Sequence, residues 1–260
     1  MLGAAIGDII GSRFEFKNYR GKDFELFTSA SHFTDDTICT VAVSEWVVGG
    51  CRYDLNTIMQ KWCRRYPSPM GAYGVRFNEW IWSENPQPYL SWGNGSAMRV
   101  SAIGWAFDKL TDVLNFAHDS AAITHNHPEG IKGAQATAAA IFWARTGESK
   151  TFIRQNIADY FEYDLSATCD EIRPNYAFDE SCQGTVPQAI TAFLESENFE
   201  DAIRLAVSLG GDSDTLTAIT GSIAEAYYRG IPQRILEPTL QILPDEMVEM
   251  LLKINTSSRY

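Results

Sequence analysis

The chain contains no apolar run of the roughly 18 residues a membrane-spanning helix needs. Charges interrupt every long hydrophobic stretch, so no membrane partner is expected. The apolar start, MLGAAIGDII, has no basic leader and carries Asp8 early. A secretory signal needs that basic segment, and a cytoplasmic location is the expectation. Cysteine is sparse: five residues, at 39, 51, 63, 169 and 182, with no Cys-x-x-Cys. An odd count without close pairs excludes a disulfide framework and a zinc site and predicts free thiols, mostly buried. Basic residues are in deficit, with a net charge of −12. That excludes nonspecific attraction to nucleic acid or anionic lipid, though not a local basic pocket for a phosphate. Only four histidines occur, without a local Ser-His-Asp or Cys-His signature, and there is no Gly-rich loop of the nucleotide-triphosphate type. Alternating strand patterns are also scarce.

What is present is helical periodicity. The 260 residues are 45% hydrophobic and 21% charged, the balance of an ordinary globular protein able to bury a sizeable core. Ile38, Val41, Ala42 and Trp46 form a helical stripe. The Ala-rich stretch 130–145 keeps the same period. Stretch 198–212 opens on Asn198 as a cap and closes at a double Gly, and 214–232 carries Leu216, Ile219, Ile223 and Tyr227 on one face. Pro244 and the acids after it predict another helix start. The expectation is an all-α, single domain over 1–260 with a dozen or so helices, monomeric by default. Short β-like pieces near 14–33 remain open, and 162–184 is the longest irregular segment.

Two stretches carry unusual chemistry. HFTDDTICTVAV (32–43) sets Asp35 and Asp36 between Thr34 and Thr37, ahead of an apolar run. GGDSDTLTAI (210–219) repeats the device with Asp212, Asp214 and Thr215. Capping explains either one alone, since Asp and Thr are favoured at helix starts. A cap needs one oxygen, however, and each stretch offers two carboxylates and a hydroxyl. Were the two starts to meet, four carboxylates would share one volume and could not all ionise without compensation. Neither stretch contains Lys or Arg, so a divalent cation is the expected partner. All-oxygen donors suit Mg²⁺ or Mn²⁺ better than Ca²⁺ and exclude zinc. Adjacent helical residues point apart, which favours two ions over one.

Other stretches are weaker alone. Gly3, Gly7 and Gly11 recur at helical spacing, a pattern for close helix packing, and run into Glu15 between two phenylalanines. A carboxylate in such surroundings can serve as an acid or base. Gly93-Asn94-Gly95 ahead of a helix start at Ser96 can cradle an anion with backbone N–H groups. His125-x-His127 before Pro128 fits capping or core hydrogen bonding better than metal ligation.

Taken in order, GDIIGSRFEF, TDDT, SWGNGSAMR, ITH and GGDSDT resemble the ADP-ribosylglycohydrolases, a family that includes the ADP-ribosyl-acceptor hydrolases and the dinitrogenase reductase-activating glycohydrolase. The likeness runs from Gly3 to about Pro232. It implies an orthogonal helical bundle with a binuclear Mg²⁺ or Mn²⁺ site. By motif match it implies Thr34, Asp35, Asp36, Asp212, Asp214 and Thr215 as metal ligands and Glu15 as an acidic residue beside them. Ser91, Trp92, Gly93, Asn94 and Gly95 match the loop around the diphosphate and distal ribose, and His125 a pocket-lining histidine. Tyr73 and Gly74 belong to a second pocket loop, where AYG at 72–74 departs from the Gly-Tyr-Gly of the family. Ala does not take positive φ freely.

The resemblance implies hydrolysis of the bond between ADP-ribose and its acceptor, with Asp36, Asp214 or Glu15 handling the water. Arginine is slightly preferred as acceptor, with serine, a nucleobase or a small molecule open, and ADP-ribose is the product. Two rivals are a crystallin-like structural member and a non-catalytic ADP-ribose reader. All six ligand positions and Glu15 are intact, which argues for the enzyme.

Overall fold

Glycines at every fourth position give the first helix a flat side, and the computed structural model shows what lies against it. The structure describes the backbone of residues 1–257 and the side chains of residues 1–254. Helix α1 (Gly3–Gly11) runs against α13 (Ser213–Tyr228), and its glycines leave no room for a side chain. A Cβ on Gly3 would stand 2.2 Å from the Gly221 carbonyl oxygen, on Gly7 2.1 Å from that of Thr217, and on Gly11 2.5 Å from that of Ser213. The matched i+4 ladders run antiparallel, so the end of α1 meets the start of α13.

After α1 a short 3-10 turn (Ser12–Phe14) leads to Glu15 and an irregular stretch that reaches α2 (Asp35–Val48). Then come α3 (Leu55–Arg65), α4 (Val75–Trp82), the single-turn α5 (Gly95–Met98), α6 (Ser101–Ala106) and α7 (Leu110–Ala122). Helices α8 (Pro128–Thr146), α9 (Lys150–Phe161), α10 (Cys169–Ile172), α11 (Cys182–Glu195), α12 (Phe199–Leu209), α14 (Gln233–Ile242) and α15 (Asp245–Ser257) complete the set. Among the described residues there is no strand, only isolated bridges between Thr34 and Met70 and between Gly93 and Ser181. The β-like pieces left open near 14–33 are therefore not strands. No described helix is long and apolar enough to cross a membrane.

Helix α13 is the hub, packed by α1, α8, α11 and α12 and buried along nearly its whole length. Small polar residues there turn inward to backbone acceptors: Thr217 donates to the Ser213 carbonyl and Thr220 to that of Ala189 at 2.8 Å. Helix α8 is the second buried helix, and its alanines allow close packing against α7 and α5. Its start is as expected, with His127 as cap accepting from the Glu129 N–H and Pro128 in the first turn. Asn198 caps α12 by accepting from Asp201 N–H. The cysteines are free; four are buried and Cys51 is half-buried.

Two expectations are corrected. Stretch 162–184 is not wholly irregular: Thr168 and Glu171 form a reciprocal cap that starts α10, and Ser181 caps α11. The helix after Asn94 is a single turn, Gly95–Met98, so its dipole adds little to an anion cradle. Ala72 in turn adopts φ +67, the left-handed conformation that favours glycine. Ala72→Gly is expected to stabilise the fold by about 1 kcal/mol and raise the melting temperature by about 2–4 °C. An unchanged or lower melting temperature in thermal denaturation would show that the loop relaxes this strain another way.

Candidate active site

One cavity of about 410 Å³ collects nearly all the singled-out residues. Asp35, Asp36, Asp212, Asp214, Thr215 and Glu15 line it. So do Tyr73, Gly74, Ser91, Gly93, Asn94, Gly95 and His125. Two singled-out residues do not line it. Trp92 is exposed and packs edge-on against His127 at 5.5 Å. Thr34 lies fully buried behind the acids, its hydroxyl donating to Asp8 Oδ1 at 2.8 Å and accepting from the Asp36 N–H at 3.2 Å.

Asp8 has no counterpart among the predicted site residues. It projects from α1 with no exposed surface and accepts from the N–H and hydroxyl of both Thr34 and Thr37. A carboxylate at the first turn of α2 satisfies its free N–H groups and complements the helix dipole. Burial still outweighs these four donors and pushes the Asp8 carboxyl up to about 6. Asp8 thus clamps the turn that presents Asp35 and Asp36, while the glycines set Asp8 and Glu15 against α13.

The second acidic turn is fixed from other directions. Gly210 and Gly211 have φ +74 and +73, and a Cβ on Gly211 would meet the Tyr176 ring at 2.4 Å. Asn18 exchanges hydrogen bonds with both backbone groups of Gly211, at 2.7 and 2.9 Å, and holds the Glu15 carbonyl at 2.9 Å. Asn94 donates to Asp212 Oδ2 at 2.6 Å and to Thr185 at 3.1 Å. Thr215 donates across the gap to Asp36 Oδ2 at 3.2 Å. The two threonine-aspartate turns therefore do meet.

Carboxylate oxygens of Glu15, Asp212 and Asp214 lie within 4.8 Å of one another. Glu15 thus belongs to the tightest acidic group instead of standing outside it. Burial is the largest cause raising every acid here, and neighbouring carboxylates add to it at Asp35, Asp36, Asp214 and Glu15. Asp214 is pushed well up by burial, then by Asp212, Asp36 and Glu15. Asp36 is raised by burial, then by Asp8, Asp35 and Asp212, and Asp35 by burial, then by Asp8 and Asp212. Burial also raises Asp212 against its hydrogen bond from Asn94, and Glu15 rises to about 8 by burial, then by Asp212, Asp8 and Glu180. Asp36 Oδ1 is buried without a hydrogen-bond partner. Crowded carboxylates and an orphaned buried oxygen are what a bound hard cation would satisfy, so the donor set fits Mg²⁺ or Mn²⁺.

The cavity lining also includes cationic and aromatic groups. Arg76 lies over the Tyr89 ring at 4.8 Å, and Arg99 is buried beneath His125. Tyr73 offers its ring only, because its hydroxyl donates to the Tyr66 carbonyl at 2.8 Å and that of Cys63 at 3.3 Å. Phe16 lines the cavity with Glu15 and Glu180, and its 75% exposed ring stacks at 6.1 Å on Phe178, itself 44% exposed and outside the lining.

A profile of the ADP-ribosylglycohydrolases matches residues 1–258. The chain belongs to that family. It is similar to ADP-ribosylhydrolase ARH3 of Xenopus tropicalis, 26% identical over 299 residues and covering 88% of this chain and 85% of that one. It is also similar to ADP-ribosylarginine hydrolase Tri1 of Pseudomonas putida, at 27% over 276 residues, covering 91% and 72%. Among solved structures, an ADP-ribosylglycohydrolase-related protein complex superposes with a TM-score of 0.71 at 25% identity, over 99% of this chain and 95% of that one. Asp8, Asn18 and Arg99 are the supporting residues missed from the sequence. Asp8 stood inside the GDIIG stretch, yet nothing local announces that it reaches α2.

Proposed function

We propose that the chain hydrolyses the glycosidic bond between ADP-ribose and an arginine side chain. The carrying observation is the convergence of Glu15, Asp36, Asp212 and Asp214 in a cavity whose lining also includes Arg76 and Arg99. Acids and arginines in one cavity suit a ligand with an anionic diphosphate and a polyhydroxylated ribose. Asp35, Asp36, Asp212, Asp214 and Thr215 would hold the cation, with Thr34 behind them. When bound, Mg²⁺ or Mn²⁺ supplies Lewis acidity toward ribose hydroxyls and water.

Proton transfer falls to Glu15. Asp212 is tied to Asn94 and Asp36 to Thr215, whereas among the described residues the Glu15 carboxylate makes no hydrogen bond. A free, half-buried acid with a raised pKa can orient water and exchange a proton with it. The Gly93–Gly95 loop, tied to Asp212 through Asn94, positions the diphosphate and distal ribose, so binding energy away from the reacting bond serves the reaction.

The arginine acceptor is supported by the Phe16–Phe178 pair and Glu180. A guanidinium is planar, stacks on aromatic rings and pairs with carboxylates. Phe16, Phe178 and Glu180 provide both kinds of contact. The test is ADP-ribose release from arginine-, serine- and thymidine-linked substrates with Mg²⁺, Mn²⁺ or EDTA. Release from the arginine conjugate is expected to stop in EDTA and to fall at least about 100-fold in Asp214→Ala and Glu15→Gln. Phe178→Ala is expected to raise KM for that conjugate alone. Release from the serine or thymidine conjugate instead would overturn the acceptor. ADP-ribose binding with no release from any would favour a reader.

A further inference from the structure

His125 is buried and lines the cavity, and its ring nitrogens face different ways. Nδ1 lies 2.7 Å from the Thr124 hydroxyl. Nε2 lies toward the glycine loop, 3.1 Å from where a Cβ on Gly95 would stand and 3.4 Å from one on Gly93. Among the described residues Nε2 makes no hydrogen bond within the chain. Distance alone leaves open which nitrogen carries the proton. The other partners of the Thr124 hydroxyl favour one answer.

Arg99 is 1% exposed and donates through one nitrogen to the Ser120 carbonyl at 2.7 Å and to Thr124 Oγ1 at 3.0 Å. A guanidinium has no lone pair to accept with, so Thr124 Oγ1 must be the acceptor in that contact. Its own hydrogen is then free to point elsewhere. Among the described residues His125 Nδ1 is the one acceptor that hydrogen bonds to this hydroxyl, and a protonated Nδ1 would leave the buried hydroxyl hydrogen without a partner. The arrangement that pairs it has the hydroxyl donating to an unprotonated Nδ1. Burial and the adjacent Arg99 charge hold the ring well below the ordinary histidine range, so it is neutral. A neutral ring with a bare Nδ1 carries its proton on Nε2.

We propose that Thr124, oriented by Arg99, is a positioning residue that holds His125 as the neutral Nε2–H tautomer, presenting a donor to a ligand oxygen beside Gly93 and Gly95. Only the ligand half rests on the ADP-ribose reading above. The arrangement offers a neutral donor where a charged one would have to be desolvated. It also gives the buried Arg99 a role: one nitrogen fixes the Thr124 hydroxyl, while its charge disfavours a protonated ring.

The test reads the ring nitrogens by long-range proton–nitrogen NMR at about pH 7, in wild type, Thr124→Val and Thr124→Ser, with and without ADP-ribose. Wild type and Thr124→Ser are expected to show a pyridine-type Nδ1 and a pyrrole-type Nε2 for His125. Thr124→Val, nearly isosteric, is expected to show a tautomer mixture and a roughly three- to tenfold weaker affinity for ADP-ribose, restored in Thr124→Ser. A pyrrole-type Nδ1 in wild type, or an unchanged ring in Thr124→Val, would overturn the assignment. An Nε2–H resonance that ADP-ribose does not move would overturn its ligand half. Should hydrolysis fail for every conjugate, the tautomer result still stands, because it is read without turnover. If Thr124→Val does not fold, wild type and Thr124→Ser still decide the tautomer.

Discussion

In EDTA, the melting temperature is expected to fall as pH is raised from about 5 to about 8, and Mg²⁺ or Mn²⁺ to reverse the fall. The sign follows from the acids. Asp35, Asp36, Asp212 and Asp214 are raised above their ordinary values in the folded chain, Asp8 to about 6 and Glu15 to about 8. A raised acid binds its proton more tightly folded than unfolded. Its stabilisation is fully present below the ordinary carboxylate range near 4 and is lost as pH climbs through the folded pKa. The metal-free protein should therefore weaken from about pH 4 up to about 8. A cation replaces the protons and acts in the opposite sense. At a concentration 100 times its Kd it adds about 2.7 kcal/mol, or about 5–10 °C for a chain of this size. The shift should be largest at pH 8 and small at pH 5, where protons compete for the same oxygens. Asp214→Ala should respond to neither metal. A melting curve indifferent to both pH and metal would mean that the acids do not gather around a cation.

The two acidic turns were legible because each repeats a pattern that capping alone leaves half explained. Their meeting was a condition that charge alone argues against, and the Thr215–Asp36 hydrogen bond across the gap shows that they do meet. The glycine ladder of α1 was legible as helix packing, but its partner was not. Nothing in residues 3–11 specifies that Gly7 meets Thr217 across more than 200 positions. Asp8 and Asn18 were invisible for the same reason: a single polar residue becomes informative only once its distant acceptors or donors are known. The departure at Ala72 was visible as a misfit, and the structure places the strain there. The Phe16–Phe178 pair lay beyond sequence reasoning. Phe16 and Phe178 are brought together by loops held through Asn18 and Arg20, whose partners are backbone atoms of Gly211, Leu209 and Tyr176.

Gly7→Ala is expected to cost about 3 kcal/mol or more and to lower the melting temperature by at least about 6 °C. The added methyl would stand 2.1 Å from the Thr217 carbonyl oxygen and 2.4 Å from its carbon. Those are backbone atoms of a helix buried along nearly its whole length, so no rotamer change can clear them. Helix α1 must instead move away from α13, opening the glycine ladder on both sides. Gly74→Ala is the control: nothing lies within 4 Å of its Cβ position and its φ is −54, so stability should change by less than about 0.5 kcal/mol. The consequence of Gly7→Ala reaches the site through its neighbour. Asp8 would retreat with α1 and loosen its hold on Thr34 and Thr37. The turn carrying Asp35 and Asp36 would then lose its register against Asp212 and Asp214. The variant is therefore expected to lose the metal-dependent rise in melting temperature as well as stability, even where it remains folded. A folded Gly7→Ala with a full metal response would show that the clamp at Asp8, and not the helix contact behind it, sets the geometry of the acids. Melting curves with and without Mn²⁺ at pH 8 distinguish the two.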